Sequence, residues 1–120
     1  MKSLLYIFIG GGLGSVLRFL ISHYTHKALH FNGFPLGTFL VNLLGCLLIG
    51  FLSSLLTKSD AALRSLLLVG LCGGLTTFST FSLENLTLWQ NQQFLMLSLY
   101  ILLSILCGIG AVLLGFQLGK

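Results

Sequence analysis

The stretch Gly73–Ser82, GGLTTFSTFS, lies in the middle of an apolar run that otherwise looks like a plain membrane span. Two adjacent glycines are followed by five hydroxyl side chains and two phenylalanines in seven residues. Hydroxyls and a loosened backbone are tolerated at membrane depth only where they are buried in protein or line a watery cavity. The stretch therefore places a polar task inside the bilayer, and the rest of the chain is read outward from it.

The chain has 120 residues, 56% hydrophobic and 7% charged, whereas soluble domains average about 25% charged. There is too little polar surface to face water, so the fold class is an all-α integral membrane protein embedded in a lipid bilayer. The net charge of +4 comes from Lys2, Arg18, Lys27, Lys58, Arg64 and Lys120 against Asp60 and Glu84. These basic residues are scattered towards span ends, the pattern of interfacial anchors and topology signals, and no nucleic-acid partner is expected. Cys46, Cys72 and Cys107 sit singly inside apolar runs, without CxxC or Cys/His spacing, and read as small buried hydrophobes. The apolar run after Met1-Lys2 reads as a retained first span rather than a cleaved leader.

A helix needs about 20 apolar residues to cross the hydrocarbon core. Four stretches qualify, roughly 3–25, 35–57, 64–88 and 94–118, forming a single membrane domain over 1–120. Pro35 opens the second, Ser59 and Asp60 precede the third as capping residues, and Tyr6, Tyr24 and Trp89 fall near interfaces. Four spans put both termini on one side, with Lys2, Lys58, Arg64 and Lys120. The basic excess leans that side towards the cytoplasm. The pairs Gly10/Gly14, Gly70/Gly74 and Gly115/Gly119 have small-xxx-small spacing and are read here as a sign of self-association.

Polar groups share directions along the spans. Thr38 and Asn42 are four apart and face one way, with Gly45 next along that face. Phe78, Phe81 and Asn85 form one stripe of the third span, and Thr77, Thr80 and Glu84 the neighbouring one. A phenylalanine pair at this spacing also suits plain packing, and an intramembrane asparagine also suits interhelical bonding. Together they suit an anion: ring edges are electropositive, and amide and hydroxyl donors replace hydration without full charge. Weak multiple sites are what permeation needs. Glu84 is the one acid within a span, and Tyr100 and Ser104 share a face of the fourth. Gly73-Gly74 weakens the third helix near its middle, where freed carbonyls can coordinate a small cation. Arg18 lies deeper than an anchor needs to be, and either snorkels or draws anions into a vestibule. His23, His26 and His30 lack a carboxylate or Cys partner for a metal site, GGGLGS (Gly10–Ser15) lacks the context of a dinucleotide fingerprint, and no Ser/His/Asp or Cys/His arrangement suggests an enzyme.

Three ordered motifs carry a resemblance. GGGLGSVLRF (Gly10–Phe19), FPLGTFLVNLLGCLLIG (Phe34–Gly50) and GGLTTFSTFS resemble the span signatures of the CrcB/Fluc fluoride channels over essentially the whole chain. Ser15 stands at the family's usual Ala, and Gly108 where a further hydroxyl is often found. The resemblance implies an antiparallel, dual-topology homodimer of four-span subunits in the bacterial cytoplasmic (inner) membrane. It implies two pores that export fluoride passively, because neutral HF enters and dissociates in the less acidic cytoplasm. On it, Asn42 donates to fluoride and Phe78 and Phe81 supply ring edges. Ser79, Thr80, Glu84, Tyr100 and Ser104 belong to or adjoin the polar route, and Arg18 to the vestibule. The carbonyls of Gly73 and Thr76 would hold a structural sodium ion on the dyad. Antiparallel assembly asks for near balance of basic residues between the two sides, against a modest excess here. The alternatives weighed are a proton-coupled small multidrug-type transporter, which needs a carboxylate in the first span, and a non-transporting scaffold subunit, which leaves the alignment of Asn42, Phe78 and Phe81 without a purpose.

Overall fold

The computed structural model describes residues 2–28, 34–58 and 60–120. His30 and Ser59, named above, lie outside the described residues. The described chain is all-helical: α1 (Lys2–Ala28), α2 (Leu36–Leu55), α3 (Ala61–Arg64), a π-helical stretch (Ser65–Cys72), α4 (Gly73–Leu75), α5 (Ser79–Gln90) and α6 (Phe94–Leu118). Four segments are long and apolar enough to cross a membrane, Lys2–Lys27, Leu36–Leu55, Ala61–Gln90 and Phe94–Leu118. The long axis of 48 Å matches a bilayer of about 40–45 Å with its headgroups.

The ends of the spans follow from local chemistry. Pro35 is the residue before α2 rather than its first turn, with φ −78° and ψ 74°, and it precedes the first helical N–H. Asp60 caps α3, its carboxylate accepting from the Ala62 N–H at 3.5 Å. At the far end of the third span, Gln92 N–H donates to the Trp89 carbonyl at 3.0 Å and Gln93 N–H to the Leu88 carbonyl at 2.9 Å. This pair of hydrogen bonds ends a helix with a left-handed residue, here Gln92 at φ 58°. The short turn then returns the chain into α6, with Trp89 and Phe94 edge to face at 5.3 Å.

Two helix pairs make the bundle. α1 lies along the π-helical stretch and α4, and α2 lies along α6. Glycine permits both approaches. A Cβ at Gly10 would collide with the Leu66 carbonyl, at Gly14 with the Leu71 carbonyl, and at Gly74 with the Gly11 carbonyl oxygen at 2.5 Å. On the other pair, a Cβ at Gly50 would meet the Val112 carbonyl and one at Gly115 the Leu47 carbonyl. All three four-residue glycine pairs are thus taken up by packing within one protomer. The inference of self-association drawn from their spacing loses that footing, because spacing defines a close-packing face without saying which helix meets it.

Between the pairs, the third span changes conformation. The π-helical stretch runs for 8 residues, then α4 ends at Leu75, and Thr76 is extended with ψ 157°. Helical geometry resumes with α5 at Ser79. A Cβ at Gly45 of α2 would strike the Thr76 methyl, so α2 comes close to this point only because residue 45 lacks a side chain.

Candidate functional site

Backbone that leaves the helix inside a membrane must find partners for its polar groups. At Thr77 they come from one side chain. Asn42 Nδ2 donates to the Thr77 carbonyl at 3.0 Å, and the Thr77 N–H donates to Asn42 Oδ1 at 2.7 Å. The Asn42 amide keeps a second N–H with no protein partner among the described residues. The Thr77 hydroxyl then caps α5, accepting from the Thr80 N–H at 3.3 Å and donating to Thr80 Oγ1 at 3.3 Å, with Ser79 Oγ 3.4 Å away. Thr77, Ser79 and Thr80 form one patch of hydroxyls at the start of α5.

The clamp fixes the two phenylalanines that follow. Phe78 and Phe81 have ring centroids 5.9 Å apart and planes inclined by 37°. Phe78 is 78% exposed in the protomer, whereas Phe81 is half-buried against Tyr100 at 4.9 Å. Tyr100 is fully buried, and its hydroxyl donates to Glu84 Oε1 at 2.9 Å. The other carboxylate oxygen accepts from Thr38 Oγ1 at 2.8 Å. Glu84 is thereby held by hydroxyls from α2 and α6 rather than left to reach for the interface. Ser104, one turn along from Tyr100, has a buried Oγ with no protein partner among the described residues.

Arg18 is placed beneath the third span. Its Nε donates to the Gly74 carbonyl at 3.1 Å, one helical turn beyond the close contact at Gly14. Gly73 and Thr76 flank the same region. The Thr77 N–H, which in a continuous helix would bond to the Gly73 carbonyl, goes to Asn42 instead. The Thr80 N–H likewise goes to Thr77 Oγ1 and leaves the Thr76 carbonyl. Among the described residues neither carbonyl accepts a backbone bond. Two freed, uncharged oxygens suit a hard monovalent cation in their chemistry.

Asn42, Gly73, Thr76, Phe78, Phe81 and Ser104 all line one open cleft of ≈ 700 Å³ on the face of the protomer. The third-span signature, the second-span asparagine and the fourth-span serine are therefore brought together. Glu84 and Tyr100 sit directly behind them. Arg18 approaches from the α1 side and does not line the cleft. Among the histidines, His23 stacks on Phe19 at 5.7 Å and meets Tyr24 edge-on at 5.6 Å. Helical spacing places Thr38 on the face of Asn42 but does not reveal it as a donor to Glu84. The signal available was only their stripes on two different spans.

These features define a multi-pass membrane protein with a polar, mostly uncharged site built around a clamped turn of its third span. The chain belongs to the CrcB family, described as "CrcB-like protein, Camphor Resistance (CrcB)", which it matches over residues 5–116. It is 47% identical to the fluoride-specific ion channel FluC of Azobacteroides pseudotrichonymphae, over 98% of this chain and 96% of that one. It is 46% identical to the proteins of that name from Flavobacterium psychrophilum, over 100% and 98% of the two chains, and Phocaeicola vulgatus, over 100% of both.

Proposed function

We propose that this chain is a fluoride-specific ion channel that lets cytoplasmic fluoride leave the cell passively. The observation that carries the reading is the Asn42–Thr77 clamp, which sets Phe78 and Phe81 beside an amide with one N–H to spare. Full-length relatives bearing that name make fluoride the anion.

In this reading fluoride exchanges water for a sequence of weak partners. The free N–H of Asn42 donates to it, and the ring edges of Phe78 and Phe81 face it with partial positive charge. The hydroxyls of Ser79, Thr80 and Ser104 supply further donors along the route. Glu84 keeps Tyr100 and Thr38 oriented by accepting from both. Arg18 contributes positive charge towards the vestibule while holding the Gly74 carbonyl. Among the described residues no ammonium or guanidinium lines the cleft to trap the anion, which suits fast release.

The working unit is an antiparallel homodimer with two pores in the bacterial inner membrane. The third span acts as a broken helix, with the extended Thr76 as its interruption. In support of the dimer, the open cleft and the 78% exposed Phe78 leave half of the site without a wall in one protomer. The carbonyls of Gly73 and Thr76 would hold a structural sodium ion at the dimer centre. When bound, that ion supplies a fixed positive charge that joins the two interrupted spans.

The test is fluoride efflux from proteoliposomes read with a fluoride-selective electrode, with chloride as control anion. Efflux of fluoride without chloride is expected, and flux no greater than from empty vesicles overturns the reading. For the ion, thermal melting in sodium against choline buffers is expected to differ, and identical curves count against the site.

A further inference from the structure

Arg18 carries a full charge well inside α1, yet its Nε turns inward and donates to the Gly74 carbonyl at 3.1 Å. That carbonyl has a particular standing in the third span. In a continuous helix the Gly74 oxygen would accept from the Phe78 N–H. Here α4 ends at Leu75 and Thr76 is extended, and no backbone N–H reaches the Gly74 carbonyl among the described residues. The Arg18 Nε–H supplies the donor that the break takes away.

The backbone of α1 makes this possible. Gly11, Gly14 and Arg18 follow at three- and four-residue steps and so share one face of the helix. A Cβ at Gly74 would meet the Gly11 carbonyl oxygen at 2.5 Å, and one at Gly14 would meet the Gly74 carbonyl carbon at 3.1 Å. These glycines bring the two helices into backbone contact at Gly74, and Arg18 is the next residue along that face. The unpaired carbonyls at a helix end also carry partial negative charge, which favours a cation there. Asn42 of α2 holds the other side of the break, at Thr77. The interrupted segment is therefore tied on both sides, by side chains of two different helices, just before Phe78 and Phe81.

We propose that Arg18 is a positioning residue for the anion route: through the Gly74 carbonyl it holds the first half of the broken span in place, so that Phe78 and Phe81 keep their aim into the cleft. The bond, more than the charge, is what the route requires of it. Its consequence for transport rests on the channel reading, and its consequence for the backbone rests on the hydrogen bond alone. It uses Nε only, so the two Nη groups still carry charge towards the vestibule.

Arg18→Gln and Arg18→Met separate the bond from the charge. Both replacements are neutral, unbranched and close in length. Gln Nε2 stands the same number of bonds from Cα as Arg Nε and can donate to Gly74, whereas Met has no donor. Arg18→Leu, also without a donor, repeats the comparison. Fluoride efflux is measured from vesicles holding equal amounts of protein recovered as a single peak on size exclusion. Arg18→Gln should lose about threefold, since a neutral donor bonds more weakly than a charged one, and Arg18→Met at least about thirtyfold. Equal losses overturn the proposal, because a charge acting through space is missing from both alike. Hydrogen–deuterium exchange over residues 73–82, read by mass spectrometry, needs no transport. Exchange should quicken at least about tenfold in Arg18→Met and by no more than about threefold in Arg18→Gln. Equal exchange in the two variants overturns the proposal even where the parent conducts. A parent that passes no fluoride while exchange ranks as expected supports the bond and fails the channel reading instead.

Discussion

Asn42 and Thr77, 35 residues apart in the chain, form a two-point hydrogen bond in which one side-chain amide satisfies both backbone polar groups of one residue. The pair joins the second span to the non-helical point of the third. Everything downstream of it, the hydroxyl patch and the two rings, takes its direction from this contact.

Asn42→Ala removes the partner of both the Thr77 N–H and the Thr77 carbonyl, which are half-buried beside the open cleft. Each backbone group left without its partner costs about 1–3 kcal/mol when fully buried and less where water reaches it, so the melting temperature should fall by roughly 4 °C. Differential scanning fluorimetry in detergent checks this, and an unchanged melting temperature would remove the clamp from the account.

Phe78→Ile and Phe81→Ile keep an apolar side chain but delete the ring edge. Phe78 is 78% exposed in the protomer, so its replacement should change protomer stability by no more than about 0.5 kcal/mol. Fluoride efflux from proteoliposomes should nonetheless drop at least about tenfold in each variant, a barrier change of about 1.4 kcal/mol. Flux equal to the parent in both variants discards the role of the rings.

Gly10 and Gly12 are separated by one residue and should respond oppositely to alanine. At Gly10 the new methyl meets the Leu66 carbonyl, which is backbone and cannot swing aside, so a loss of about 1–3 kcal/mol or more is expected. At Gly12 no atom lies within 4 Å, and alanine should be neutral or stabilise by up to about 1 kcal/mol. Melting temperature and monodispersity on size exclusion separate the two; equal effects would contradict the helix packing described.

Gln92 holds a left-handed backbone at φ 58° in the turn between α5 and α6. Only glycine adopts that conformation without a steric penalty of about 1 kcal/mol. Gln92→Gly should therefore raise the melting temperature by about 3 °C and leave fluoride flux unaffected. A lower melting temperature would show that the Gln92 side chain contributes more than its backbone costs.

Four spans were legible from composition and run length alone, because the bilayer imposes one length and one polarity on any crossing helix. The polar site was legible too. GGLTTFSTFS is incompatible with lipid contact, and helical periodicity by itself aligns Phe78 with Phe81 and Thr38 with Asn42. Family motifs then supplied fluoride, which no spacing could. The tertiary structure decided the partners. Small-xxx-small spacing marks a face for close approach, but only the packed chain assigns Gly10 and Gly14 to Gly70 and Gly74 of the same protomer. The π-helical stretch before Gly73 left no mark in residue type. Thr38 reaches Glu84 across 46 positions, and Asn42 reaches Thr77 across 35, because the bundle brings their helices together. Local sequence sets which way a side chain points on its own helix; which group it meets depends on the relative depth and rotation of two helices, and that is fixed only by packing.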